Sequence, residues 1–257
     1  MGVRYPQKRP GFRNYPDLGT VTTAMGLTGF TTANYYESAS GTSALLKSSP
    51  WSFGIMFEIS GALSGASVAG GRHNDSTAGG TCFRWSAGSS AVLCRCGNGT
   101  TTYDSATKTM TANQVYILVG TFDGTNLKLI EQAGQIGAST AAGYSDPDGS
   151  SQRLAVGIRG IVHDRDAETM TLYGFCIGNT ALSAGDVATW AADCKAAFDV
   201  TDFPTGHLSK FSVRQGLSST PGSAPSTWNA TTGTNLAMTL TGSLSVVENT
   251  PTWGNVT

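Results

Sequence analysis

Apolar and polar residues alternate along most of this chain with a period of two. The clearest case spans residues 50–59, where Trp51, Phe53, Ile55, Phe57 and Ile59 fall on one side of an extended segment. Residues 29–37 read as an earlier strand, and further strands are predicted near 66–72, 81–86, 91–96, 99–104, 153–159 and 168–178. Between them an apolar run, Val115 to Val119, stops at Gly120, and Asp123-Gly124-Thr125-Asn126 follows. Alternation then resumes, with Leu127, Leu129 and Glu131 on one side and Asn126, Lys128 and Ile130 on the other. Asp and Gly tolerate the backbone angles of a tight turn, so this segment predicts a β-hairpin. The period changes to a helical one only after residue 179. Ser183 is a good N-cap with Asp186 three residues on, and Val187, Trp190, Ala191, Cys194 and Phe198 recur at helical spacing, which predicts a short helix near 183–198. Beyond residue 200, His207–Val213 reads as a strand and residues 235–247 as two more, separated from them by a Ser/Pro/Gly loop.

A second hairpin carries most of the cysteine. Closing residues 81–85 onto 91–96 symmetrically puts Trp85 opposite Ala91, Phe83 opposite Leu93 and Cys82 opposite Cys94. Phe83, Trp85 and Leu93 then share the core face, and Cys82, Cys94 and Cys96 share the other. This placement admits a Cys82–Cys94 disulfide, a thiol cluster that binds metal, or three reduced thiols. No His or fourth Cys completes a zinc pattern. The odd total of 5 cysteines argues against a fully paired extracellular framework, and Cys176 and Cys194 read as small buried hydrophobes.

Composition supports an all-β chain. Hydrophobic content of 39% is enough for a core, while only 13% of residues are charged and 33 are glycine, which suits short strands joined by many turns. The net charge of −1 gives no field that recruits nucleic acid or a membrane surface. No segment approaches the roughly 20 continuous apolar residues that span a bilayer. The first residues lack the apolar core of a signal peptide, which predicts synthesis in the cytosol unless a leader has been trimmed. Residues 1–20 read as an arm: Arg4, Lys8, Arg9 and Arg13 alternate with aromatics and three prolines, and no acid precedes Asp17. Such an arm docks on the acidic surface of a partner or wraps its own domain.

The words Val119-Gly120-Thr121-Phe122-Asp123-Gly124 resemble the central hairpin of laminin-G-like, concanavalin A-type jelly rolls. The strand at 51–59 is similar to one that follows the opening strand of those domains. Ala181-Leu182-Ser183-Ala184 with Val187 resembles the short helix that leans on their sandwich. The resemblance covers roughly residues 25–200. It implies an antiparallel β-sandwich, a concanavalin A-like jelly roll, over residues 21–200. The arm then precedes it, and residues 201–257 form an extension that adds strands to the sandwich or contacts a neighbour. Residues 228–242 also resemble a segment that often opens such jelly rolls.

This fold serves lectins, adhesins, glycanases and structural shells alike, so function must come from a site. Glycanases of this type carry two carboxylates on one strand face. Here Glu37, Glu58, Glu131, Glu168 and Glu248 are isolated from one another, and Asp164, Asp166 and Glu168, which do alternate after His163, read as a charged loop around Arg165. There is no nucleophile elbow, phosphate loop or His-Glu-x-x-His, and His73, His163 and His207 are scattered. The chain is therefore expected not to be an enzyme. No cofactor is implied, with one exception: related domains often bind calcium at a rim, and Asp146, Asp148 and Asp75 offer hard oxygen ligands in turns, although Asp-Pro-Asp-Gly is also an ordinary turn sequence. A glycan would need an exposed aromatic platform. Tyr35, Tyr36, Tyr103 and Tyr144 supply candidates that serve equally well as rim packing. The leading expectation is an oligomeric structural or adhesive subunit on a bacteriophage virion, a decoration, tail or fibre component partnered by other virion proteins. The alternative is a free-standing glycan-binding module, and a glycoside hydrolase comes last.

Overall fold

The computed structural model describes residues 24–39, 50–61, 67–70, 80–85, 91–131, 134–144, 153–158, 169–188, 191, 209–212, 222–224, 226–229 and 237–249. The strands of the first half are β1 (Ala24–Thr28), β2 (Tyr35–Ser38), β3 (Trp51–Ile59), β4 (Ser67–Gly70), β5 (Gly80–Trp85), β6 (Ala91–Gly97), β7 (Thr102–Asp104), β8 (Lys108–Thr109) and β9 (Tyr116–Phe122). Those of the second half are β10 (Asn126–Glu131), β11 (Gly134–Thr140), β12 (Ala155–Val156), β13 (Met170–Gly178), β14 (Ser209–Ser212), β15 (Gly222–Ser223), β16 (Thr227–Asn229), β17 (Ala237–Thr241) and β18 (Ser245–Asn249). Helix α1 comprises residues 184–188 and 191.

The strands form two antiparallel sheets packed face to face. Sheet I runs β11-β10-β9-β3-β13-β1-β18-β15, with β14 also paired to β13, and sheet II runs β16-β17-β2-β12-β4-β5-β6-β7, with β8 also paired to β6. One core lies between them. Sheet I contributes the alternating set Trp51, Phe53, Ile55, Phe57 and Ile59 with Leu118, Phe122, Leu127 and Leu129; sheet II contributes Tyr36, Phe83, Val92, Cys94, Cys96 and Met238. The period-two pattern thus states which side of each strand is inside.

Gly120 does not end its strand. β9 runs through it to Phe122, because a Cβ there would collide with Cys94 Sγ reaching across from sheet II. Glycine at this point lets the two sheets approach. The hairpin closes where expected, between Phe122 and Leu127, with Gly124 at φ 103°. Asp123 Oδ1 accepts from the Thr125 and Asn126 amides at 3.0 and 2.8 Å, an Asx-type closure of the turn.

The stretch at 29–37 is not one strand throughout: residues 29–34 form the turn between β1 and β2, and the strand begins only at Tyr35. Gly29 adopts φ 91°, which breaks the extended run, and Thr31 and Asn34 close a turn through reciprocal bonds of 3.1 and 3.0 Å. That turn is fastened to the one between β17 and β18: Asn34 Oδ1 accepts the Ser243 amide at 2.9 Å. β1 pairs with β18 in sheet I and β2 with β17 in sheet II, so the β17–β18 connection crosses between the sheets beside the β1–β2 connection.

Sheet I has a second apolar layer on its outer side. Met56, Val115, Ile117, Val119, Ile130 and Tyr173 meet Leu182, Val187 and Ala191 from α1 and its lead-in. The helix starts as a capping box: Ser183 Oγ accepts the Asp186 amide at 3.2 Å while Asp186 Oδ2 accepts the Ser183 amide at 3.0 Å. Ser52, on the outer side of β3, anchors the lead-in by accepting the Leu182 amide at 2.9 Å and donating to the Thr180 carbonyl at 2.6 Å.

The β5–β6 hairpin departs from the symmetric closure by one residue. Trp85 pairs with Val92, Phe83 with Cys94 and Cys82 with Arg95. A one-residue slip exchanges faces. Cys94 and Cys96 therefore point into the core beside Phe83 and Val92, and Leu93 goes to the outside. The register leaves Cys94 opposite Phe83 and Cys82 opposite Arg95.

Candidate functional site

Alternation along sheet II sends a second set of residues to its outer face. Successive cross-strand pairs align seven of them in one row: Thr239, Glu37, Ala155, Gly70, Cys82, Arg95 and Asp104. Three small residues, Ala155, Gly70 and Cys82, separate Glu37 from Arg95. At a strand spacing of about 4.8 Å the four intervals between those two residues span about 19 Å.

Each end of this interval carries an arginine–carboxylate pair. Arg153 Nη1 donates to Glu37 Oε2 at 2.7 Å. The Glu37 carboxylate holds the Arg153 guanidinium above its ordinary pKa through this bond. At the other end Arg95 grips Asp104 in a two-pronged contact, Nε to Oδ1 and Nη2 to Oδ2. Arg153 and Asp104 are the open members, with side chains 43% and 38% exposed, while Glu37 and Arg95 are at 10% and 15%. Arg84, opposite Leu93, lies diagonally from Arg95 on the same face and is itself buried. Thr239 and Thr241 extend the polar surface on β17 and are exposed. The face thus presents fixed donors and acceptors at both ends of this interval. Both of its acidic groups are engaged by arginines.

The four tyrosines do not assemble into an exposed platform. Tyr36 is fully buried in the core, and burial pushes its hydroxyl up to about 12. Tyr144 is buried edge-on to Phe122 at 5.1 Å and Trp51 at 6.3 Å, with its hydroxyl 3.1 Å from Thr81 Oγ1. Tyr35 packs with Ala155 and Ile158 on the outer side of sheet II, beside Glu37. Tyr103 is half-buried, with its hydroxyl 3.5 Å from Asn98 Nδ2, which also donates to the Gly143 carbonyl at 3.1 Å. Tyr103 and Tyr144 therefore pack one rim, and only Tyr35 borders the charged row. Tyrosine serves both environments, so its identity did not separate them.

Asp75, Asp146 and Asp148, and the arm residues Arg4, Lys8, Arg9 and Arg13, lie outside the described residues. Among the described residues no group of three or more His, Cys, Asp or Glu side chains is arranged to hold a metal ion. No helix among them is long and apolar enough to cross a membrane. Sequence reading passed over Arg84, Arg95, Asp104 and Arg153. A usable signal existed: in Phe83-Arg84-Trp85 and Cys94-Arg95-Cys96 an arginine interrupts a strand of otherwise apolar neighbours, in a chain with only 13% charge.

No family model matches the sequence, and no curated protein matches it. Solved structures match in shape. A Bacteroides ovatus protein, provisionally named as carbohydrate-binding, superposes with a TM-score of 0.55 at 10% identity, covering 90% of this chain and 61% of that one. The fold is a lectin-like jelly roll. Looser similarity extends to a heptameric SAP-like pentraxin from Limulus polyphemus, with a TM-score of 0.47 at 8% identity over 76% of this chain and 93% of that one. It extends also to the binding domain of botulinum neurotoxin DC solved in complex with SialylT, with 0.45 at 9% identity. The chain covers 66% of itself and 46% of that toxin structure in the match.

Proposed function

We propose that this chain is a non-enzymatic carbohydrate-binding module and that the charged outer face of sheet II is its binding surface. The row from Glu37 to Asp104 carries the reading. Sugars present pairs of hydroxyls that both donate and accept, and planar guanidinium and carboxylate groups fixed by one another match such pairs. The jelly-roll neighbour from Bacteroides ovatus, named for carbohydrate binding, supports the same reading. Binding without turnover is consistent with both carboxylates of this face being engaged by arginines.

The narrower role as an adhesive subunit of a bacteriophage particle draws on the sequence alone, and the comparisons favour the glycan-binding module over it. Calcium enters the proposal only through Asp75, Asp146 and Asp148, whose carboxylates are candidate ligands from the sequence. The test is a glycan array with the whole chain, repeated with calcium and with chelator, followed by titration calorimetry on any glycan retained. Arg95→Ala and Arg153→Ala are expected to weaken binding about tenfold or more while circular dichroism stays unchanged. Retention of no glycan, or binding indifferent to both substitutions, would overturn the assignment. Loss of binding with chelator alone would give calcium its place.

A further inference from the structure

We propose that Asn98 is a site of spontaneous covalent modification, at which attack by the Gly99 nitrogen hydrolyses the side-chain amide and releases one rim turn from another. The turn Asn98–Thr101 joins β6 to β7 and closes through the Asn98 amide on the Thr101 carbonyl at 3.1 Å. Asn98-Gly99 is the one place in the chain where glycine follows asparagine. Glycine has no side chain to hinder approach of its nitrogen to the preceding side chain, and here it holds φ 94°.

The turn treats the Asn98 side chain as an active site treats a reacting carbonyl. Oδ1 accepts the Thr100 amide at 3.1 Å, the Thr101 amide at 2.8 Å and the Thr100 hydroxyl at 3.0 Å. Backbone amides can only donate, and Nδ2 faces the Gly143 carbonyl, so the orientation of the side-chain amide is fixed by its partners. Three donors on one oxygen draw electron density from Cγ and stabilise the negative charge that the oxygen gains when a nucleophile adds. Among the described residues no acceptor holds the Gly99 N–H. Asn98 and Gly99 are half-buried and Thr100 is exposed, so hydroxide and water reach the turn.

The step balances without an oxidant or reductant. Hydroxide removes the Gly99 N–H proton, and the nitrogen forms a bond to Cγ. The Cγ–Nδ2 bond breaks as Nδ2 takes a proton from water and leaves as ammonia. Water then opens the cyclic imide. Cleavage of the new N–Cγ bond leaves an aspartate side chain at position 98; cleavage of the original peptide C–N bond leaves an isoaspartate linkage, which lengthens the main chain by one atom. Either product removes Nδ2, a donor 3.1 Å from the Gly143 carbonyl, and the aspartate sets a second acceptor against that carbonyl. Tyr103 Oη loses the same neighbour, and it sits where Gly143 has no Cβ to block it. The turn at 141–144, closed by the Tyr144 amide on the Ala141 carbonyl, is thereby released from the turn at 98–101.

Peptide mapping by mass spectrometry, on the whole chain held at mildly alkaline pH, gives the test. Exchange of the amide for a carboxyl at Asn98, with uptake of heavy oxygen from labelled water, should run at least tenfold faster than at Asn34, Asn113 and Asn126. Thr100→Val removes the hydroxyl donor and should slow the folded protein about tenfold or more, while leaving the rate in urea unchanged. Unchanged thermal unfolding would show that the variant folds; if it does not, Thr100→Ala repeats the measurement. Asn98→Asp installs one product directly and should speed hydrogen exchange in residues 141–144. Conversion spread evenly over the asparagines, a folded rate indifferent to loss of the Thr100 hydroxyl, or wild-type exchange in Asn98→Asp would each overturn the proposal.

Discussion

The two outer faces of this sandwich are built by the same alternation and meet opposite fates. On sheet I the outward positions of β3, β9 and β13 carry Met56, Ile117, Val119 and Tyr173, and α1 lays Leu182, Val187 and Ala191 over them. On sheet II the outward positions carry Tyr35, Glu37, Arg84, Arg95 and Asp104. An apolar outer face must be covered to be stable, and a helix with an apolar stripe does this. A face of paired charges needs no such cover and stays available for hydrogen bonding. Function is therefore sought on sheet II, and stability is expected to be lost first on sheet I.

The sharpest way to break this contrast is to place a charge under the helix. Val187 is fully buried against the outer layer of sheet I. Val187→Asp should cost about 3 kcal/mol or more, because an unpaired carboxylate would be desolvated there. Urea unfolding measures it, and a loss below about 1 kcal/mol would mean that α1 does not seal the face. Ser52→Ala comes next. It strips a partner from the Leu182 amide and the Thr180 carbonyl at once, and should cost about 1–3 kcal/mol by leaving a buried donor unsatisfied. The expected signature is earlier loss of helical signal than of sheet signal on heating.

On sheet II the order of effects should reverse. Arg95→Ala removes a bidentate partner from Asp104, which is partly exposed and can rehydrate. Stability should fall by about 1 kcal/mol or less, the range of a partly solvated pair. Glycan retention should fall about tenfold or more, as a lost charge-assisted contact in a binding surface implies. Equal effects of Ser52→Ala and Arg95→Ala on both stability and binding would erase the distinction between the faces.

How far these faces could be read in advance follows from what each depends on. The inner side of β3 was legible because five large apolar residues repeat at every second position. The capping box at Ser183 and Asp186 and the turn at Asp123-Gly124 were legible because each is set by residues within four positions of one another. The register of β5 on β6 was not: symmetric closure about residues 86–90 is one choice among neighbours, and the slip of one residue decides whether Cys94 meets Cys82 or Phe83. What selects the observed register is visible only in three dimensions, where Cys94 fits over Gly120 of the opposite sheet. The charged row was illegible for a related reason. Glu37 and Arg153 are 116 residues apart, and only the pairing of β2 with β12 brings them together.

The smallest expected effect concerns an ion pair at the end of sheet I. Lys128 Nζ lies 2.7 Å from Asp123 Oδ2, both about 30% exposed. Burial raises the Asp123 carboxyl, but the Lys128 contact and the Asn126 and Thr125 amides outweigh it and hold the group well below the usual carboxylate range. A carboxyl depressed by folding contributes stability at pH above its unfolded value of about 3.9, and that contribution is lost as pH falls through and below this value. Asp123→Asn keeps an oxygen acceptor for the turn amides and removes only the charge. Near neutral pH it should destabilise by about 1 kcal/mol or less, given solvent screening. Below about pH 4 its stability should draw progressively closer to that of the wild type, because the unfolded Asp123 takes up a proton there while the folded carboxylate keeps its charge to lower pH. The check is urea unfolding from pH 6 to pH 2. Parallel curves for the two proteins would assign the turn's stability to its amide bonds alone and leave the Asp123–Lys128 pair without an energetic role. Convergence would assign the difference between the two proteins to the Asp123–Lys128 pair.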